Sequence, residues 1–353
     1  MSETKAKPVN LALQGGGAHG AVTWGVIDRL LEDDALRVDS ISGASAGAVN
    51  AAALAYGIHL GGPEKARETL HDLWSHISKA GAIFSPVRGS PFDMALGEFN
   101  LDNSPSYQFF EAFTRVLSPY QFNPFNINPL RDILEKTIDF ESLRRCTATQ
   151  LFLSATNVRT GKVHVFQTKD ASVDVVCAST CLPFLFKAVE IDGEHYWDGG
   201  YMGNPVLFPF FYEAEARDVL IVHVNPLNRD ELPVTAPDIM NRVNEISFNS
   251  SLLRELRAIS FVHRLLDEGW LKEEYSDRLR NVRIHSIRSD NALTNLSVAS
   301  KFNTDWKFLS ALKDRGRAVA EEWLLENREH VGERSSVDLR AMFDGDAFSD
   351  ESA

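Results

Sequence analysis

Twice within its first 56 residues the chain passes from a short apolar run through a glycine turn straight into a helical pattern, and few architectures accommodate that repeat. Pro8 to Leu13 alternates as a strand and leads into Gln14-Gly15-Gly16-Gly17-Ala18-His19-Gly20. A helix is then predicted over 21–32, with Val22, Val26, Ile27 and Leu30 on one face. A second strand ends at Ile41, Gly43-Ala44-Ser45-Ala46-Gly47 makes the turn, and the alanine-rich segment 46–56 starts a helix at once. Two consecutive strand–turn–helix units imply a parallel sheet whose turns open at the carboxyl ends of the strands. The two glycine turns are therefore expected to be neighbours.

The second turn has the form of a nucleophile elbow. Gly43 and Gly47 permit a tight, strained backbone, so Ser45 projects above the strand end while the first helical N–H groups face its surroundings. A glycine-rich turn carrying an ordinary serine fits the same five residues. The first turn is also open to more than one reading. Gly15-x-Gly17-x-x-Gly20 matches a dinucleotide fingerprint, with Asp39 about 20 residues further on. A ribose-binding acid belongs at the end of its strand, however, and Asp39 stands at the start of one, with Ser45 at the far end. Three successive glycines instead offer bare N–H groups for an oxyanion, which is what an acyl-transfer site beside Ser45 requires. A nucleotide loop and a plain tight turn remain the alternatives at this point.

Composition narrows the partners. The 353 residues carry a formal charge of −13, which opposes nucleic-acid binding. Cys146, Cys177 and Cys181 show no paired zinc spacing and suit reduced thiols in a cytoplasmic protein. Residues 1–7 lack the apolar core of a secretory signal and are expected to be flexible. The uncharged stretch 40–63 is long enough for a membrane span, but its Ala, Gly and Ser content and its origin in the elbow favour a buried helix.

Further along, a helix is predicted over 63–79, followed by an irregular segment, 83–130, in which Phe84, Phe92, Phe99, Phe109, Phe110, Phe113, Phe122 and Phe125 recur without a clean period. These rings either cover an acyl groove or pack as ordinary core. Hairpins are expected around 159–162 and around Asp192-Gly193, the second ending in Trp197-Asp198-Gly199-Gly200, where Asp198 is either a turn residue or a catalytic acid. A buried strand over 219–224, a helix over 238–266, a strand over 282–287 and a helix over 305–326 follow. Residues 8–330 thus form one expected domain, with a motif-bearing core at 9–210 and a mainly helical continuation at 211–330. The acidic segment 331–353 is expected to be a disordered tail.

Taken together, G-G-G-A-H-G after the first strand, G-A-S-A-G after the second and D-G-G some 150 residues later resemble the three signatures of the patatin-like phospholipase family. Ala178 to Pro183 resembles the family's stretch ahead of the D-G-G. The resemblance implies a three-layer α/β/α fold with a mostly parallel sheet, and a Ser-Asp dyad that hydrolyses lipid acyl esters. Ser45 matches its nucleophile, Asp198 its base, and Gly15, Gly16, Gly17 and Ala18 its oxyanion hole, with His19, Gly20, Gly43, Gly47, Gly199 and Gly200 completing the motifs. One departure stands out: the family loop carries Arg or Lys where this chain has His19, whose partial charge near neutrality predicts a weaker or pH-dependent contribution. The implied partner is a lipid or acyl ester, with transient contact to a lipid surface.

Two other readings are carried alongside. A Ser-His-Asp esterase needs a histidine from among His195, His223, His263 and His285, each of which sits in a pattern better suited to structure. A lipid-binding protein could keep the pocket without turnover. Ligand spacing near the motifs indicates neither a metal nor an organic cofactor.

Overall fold

The computed structural model describes residues 6–85, 87, 99–102, 104–270, 281–293 and 296–344. Strands β1 (Lys7–Leu13), β2 (Leu36–Gly43), β3 (Gln150–Asn157), β4 (Val163–Gln167), β5 (Val189–Ile191), β6 (Glu194–Asp198), β7 (Asp218–Val222) and β8 (Arg283–Ile287) form a single sheet. Its order is β5-β6-β3-β2-β1-β7-β8, with β4 also paired to β3. The run from β3 through β2, β1 and β7 to β8 is parallel, and β4 and β6 lie antiparallel to β3.

Period-two alternation divides the core between the two faces of this sheet. Leu11 and Leu13 of β1, Leu151 and Leu153 of β3, and Leu220 and Val222 of β7 join the cluster built with helices α1 (Gly20–Leu30) and α2 (Ala46–Phe84) and with helix Trp306–Asn327. Ala12, Phe152, Val219 and Ile221, one residue out of phase, point the other way and pack with Phe210, Leu252, Leu256 and Ile259. Leu252, Leu256 and Ile259 belong to helix Ala236–Asp267. The result is a three-layer α/β/α arrangement, as the resemblance implied, built around the parallel sheet expected from the two opening units. In α2 the uncharged stretch is a helix buried from Ala46 to Ala55 and more exposed beyond, and the backbone leaves helical geometry at Gly61 and Gly62, just before the expected second helix. No helix among the described residues is long and apolar enough to cross a membrane.

Three sequence expectations require adjustment. The first strand begins at Lys7, whose N–H donates to the Ala35 carbonyl; residues 1–5 lie outside the described part. The segment 331–344 is not disordered: Val331 is buried, the Gly332 N–H donates to Asp218 Oδ1 at 2.9 Å, and Leu339 packs in the second cluster with Val337 and Phe343 against it. Four apolar residues spaced through an acidic sequence are enough to dock it, and their dilution hid them. Residues 345–353 of the expected tail lie outside the described part. The Phe-rich segment holds helices Pro105–Val116, Pro119–Phe122 and Pro129–Thr137, each opening with proline at a position where its missing N–H costs no hydrogen bond.

Candidate active site

The backbone of Ser45 has φ 54° and ψ −126°, a left-handed geometry that is unfavourable for a residue with a side chain. Two contacts hold it there. Its N–H donates to the Ser179 hydroxyl (3.0 Å) and carbonyl (3.2 Å). A Cβ on Gly47 would run into the Leu13 carbonyl, and one on Gly43 would lie 2.6 Å from the Gly47 carbonyl oxygen, so neither position accepts a side chain.

Asp198 reaches Ser45 through the sheet. Along β3, Leu153 pairs with Gly43 of β2 on one edge and with Phe166 of β4 on the other. Two residues later Ala155 pairs with His164 of β4 and with Asp198 of β6. Strand β6 therefore takes over the edge of β3 that β2 vacates at the elbow, and the last residue of β6 meets the turn that ends β2. The Ser179 stretch seals the junction, because the Cys181 carbonyl accepts the Asp198 N–H at 2.8 Å. Gly199 packs on the Ser154 carbonyl with no room for a side chain, and Gly200 donates its N–H to Asp198 Oδ1 at 2.7 Å.

The Asp198 carboxyl is fully buried, and its Oδ2 has no partner of full hydrogen-bond geometry. Burial pushes its pKa up to about 6, while the Ser45 hydroxyl, the Gly200 N–H and the positive charge of Lys301 pull the other way. A carboxylate with one free oxygen facing a serine hydroxyl can accept that proton near neutral pH.

The glycine loop lies against the elbow. A Cβ on Gly15 would sit 2.5 Å from Ser45 Cβ, and one on Gly20 would sit 2.7 Å from Ala46 Cβ. Gly15 itself is not a free donor: its N–H is given to Asn204 Oδ1 at 2.7 Å, and its carbonyl accepts from Asn225 Nδ2 at 2.9 Å. This corrects the sequence assignment, because an N–H already bonded cannot serve an oxyanion. Gly16, Gly17 and Ala18 do line the same cavity as Ser45.

His19 also differs from expectation. It is buried, its Nε2 bonds the Ser300 hydroxyl at 2.7 Å, and burial together with nearby Lys301 lowers its pKa to about 3. The ring is neutral at physiological pH and supplies no cation. Sequence reading missed the amides that clamp the loop. Gln14 accepts from the N–H groups of Val224 (2.9 Å) and Asn225 (3.0 Å) and donates to Asn249 Oδ1 (2.9 Å). These partners come from over 200 residues away, and no local spacing announces them.

Above Ser45 a cavity of about 940 Å³ opens, lined mostly by apolar side chains. Phe109, Phe110, Phe113 and Phe122 contribute to its wall, as the groove-covering reading anticipated. Phe99 instead stacks near Phe308, with centroids 4.9 Å apart, and Phe125 stands exposed. The Phe84 side chain and Phe92 lie outside the described part. Among the described residues no histidine lines the cavity. His285 is bound to Asp218 (2.9 Å), His263 to the Val282 carbonyl (2.9 Å), His223 is buried, and His195 stands 3.8 Å from Glu190. Among the described residues no group of three or more His, Cys, Asp or Glu side chains could hold a metal ion, and the three cysteines are free and buried.

The patatin-like phospholipase model matches residues 11–211, more than half of the chain. The chain belongs to that family. Among solved structures it is similar to VipD from Legionella pneumophila, at 17% identity and a TM-score of 0.42, over 91% of this chain and 67% of that one. It is also similar to the type III effector protein ExoU, at 15% identity and a TM-score of 0.28, over 91% of this chain and 53% of that one. No curated protein matches it. The family model stops seven residues before β7, so an interior strand of this patatin-like sheet comes from outside the matched segment.

Proposed function

We propose that this protein is a serine acyl hydrolase that cleaves fatty-acyl esters of lipids through a Ser45–Asp198 dyad. The observation that carries the proposal is the hand-over along β3, by which the end of β6 delivers a buried carboxyl to the elbow serine at the floor of an apolar cavity. Asp198 accepts the Ser45 proton through its free Oδ2, and Ser45 Oγ attacks the ester carbonyl. The carbonyl oxygen becomes negative as the tetrahedral intermediate forms, and the N–H groups of Gly16, Gly17 and Ala18 stabilise it. Asp198 returns the proton to the leaving alcohol, and water, deprotonated by the same carboxylate, releases the fatty acid from acyl-Ser45. The family match supports a lipid substrate, and the aromatic wall suits a long acyl chain. A triad is disfavoured because no histidine among the described residues lines the cavity with Ser45.

Hydrolysis of p-nitrophenyl esters from short to long acyl chains, by wild type and by Ser45→Ala, tests this directly. Activity that rises with chain length and disappears in the variant is the expected result. Wild-type silence on every chain, with retained binding of a long-chain fatty acid, would favour a lipid-binding protein instead.

A further inference from the structure

Lys301 sits in the short helix Val298–Phe302, far from every motif in sequence, yet it is built into the glycine loop. A Cβ on Gly17 would lie 2.6 Å from the Lys301 carbonyl oxygen and 3.2 Å from its Cβ, so the loop and this residue share one packing surface. The ammonium donates to Asn225 Oδ1 at 3.0 Å and to Asn244 Oδ1 at 2.8 Å, and stands 5.5 Å from the centroid of the Phe248 ring. Asn225 is the residue whose amide also holds the Gly15 carbonyl. Lysine therefore uses two of its three donors on neutral amides. Among the described residues no carboxylate forms an ion pair with it. The nearby Glu245 is engaged by Arg229 and Arg242 instead.

A partly buried cation held by neutral amides, with no ion-pair partner among the described residues, points to a role other than stability. The residue lines the same cavity as Gly16, Gly17, Ala18 and Ser45. We propose that Lys301 is a catalytic cation of this site, its remaining N–H directed to the negatively charged oxygen that a substrate presents between Ser45 and the glycine loop. This rests on the acyl-hydrolase reading. That oxygen has two sources, the ester carbonyl as it gains charge during acyl transfer or the phosphate of a head group, and substrate choice separates them. Electrostatics agree with a functional cation: burial lowers the Lys301 pKa to about 8, while Glu245 and Asp198 support its charge. The remaining ionisable neighbour, His19, is neutral.

The test uses the full chain as wild type, Ser45→Ala, Lys301→Met and Lys301→Gln; the last keeps N–H donors for Asn225 and Asn244 but removes the charge. Each is assayed on an uncharged long-chain p-nitrophenyl ester and on phosphatidylcholine in mixed micelles. A fall in kcat of about 10²-fold on both substrates identifies the carbonyl oxygen. A loss confined to phosphatidylcholine and to KM identifies the phosphate. In either case wild-type activity declines as pH rises through about 8, where the ammonium loses its proton, and that limb is absent from both variants. The rate at which a long-chain alkyl fluorophosphonate labels Ser45 is expected to fall in the same variants and reports on the site independently of turnover. The proposal is overturned if both lysine variants keep wild-type kcat, KM, labelling rate and alkaline limb while Ser45→Ala is silent. It is equally overturned if Lys301→Gln only lowers the melting temperature and leaves the pH profile in place. Activity in Ser45→Ala would instead remove the dyad on which it rests.

Discussion

The floor and the wall of the cavity are built on opposite principles. At the floor, Gly15, Gly43, Gly47 and Gly199 pack backbone against backbone so closely that a single added carbon collides with a carbonyl or a main-chain atom. The wall around helix Pro105–Val116 is made of large side chains, none of them buried within that helix, with Phe109 72% exposed and stacked on Phe113 at 6.0 Å between centroids. Main-chain packing fixes atoms to a fraction of an ångström, which is what the attack on a carbonyl demands. Side chains free to change rotamer accept chains of different length, which is what an apolar tail demands. The floor is suited to govern rate and the wall to govern selectivity.

The harshest way to break that contrast is to put a side chain into the floor. Gly47→Ala forces a methyl group onto the Leu13 carbonyl and is expected to cost about 3 kcal/mol or more, read as a lower midpoint in urea. An alanine accepted without loss would mean that the floor yields as the wall does.

Next in size, Asp198→Asn is expected to lower turnover by about 10²- to 10⁴-fold while the fold survives. Its stability effect has a definite sign. The folded Asp198 pKa is raised to about 6, so the stability that the neutral carboxyl contributes is present below the ordinary value near 3.8 and lost as pH rises through about 6. Asparagine never ionises. The variant is therefore expected to melt at or above wild type at pH 7 and to lose that advantage at pH 4. In the proposed dyad only the carboxylate accepts the serine proton, so wild-type kcat/KM is expected to climb as pH rises through about 6.

Much of the floor was legible in the sequence because its requirements are local. Glycines at 15, 43, 47, 199 and 200 sit at fixed offsets from Ser45 or Asp198, and a turn that tight tolerates little else. The hairpins around 159–162 and at Asp192-Gly193 and the late strands β7 and β8 also fall within a residue or two of their predicted places. What escaped was non-local or weakly patterned. Asn204, Asn225 and Lys301 meet the glycine loop from the far half of the chain, Asn225 because the sheet brings β7 beside β1, and a lone amide or lysine carries no spacing to mark it. In helix Pro105–Val116, Phe109, Phe110 and Phe113 do recur at helical spacing, but abundant Pro and Asn around them disguised it.

The smallest effect sharpens the comparison from the other side. Phe109→Ala removes an exposed ring at the cavity wall, so stability should stay within about 0.5 kcal/mol of wild type. Its kcat/KM is expected to drop roughly fivefold, about 1 kcal/mol, on long acyl chains and to be unchanged on short ones. An equal loss on all chain lengths would place Phe109 with the floor.

The pairing of β1 with β7 has a practical corollary, because the boundary of homology is not the boundary of folding. A fragment trimmed to residues 11–211 would contain every recognised motif and still leave Leu11 to Leu13 as an open sheet edge, without Leu220 to Val222 to cover it. Gln14 would lose Val224 and Asn225, and the glycine loop would lose the amide that grips its first carbonyl. Such an edge invites pairing with another copy of itself, so the truncated chain is expected to aggregate rather than to act as a minimal hydrolase.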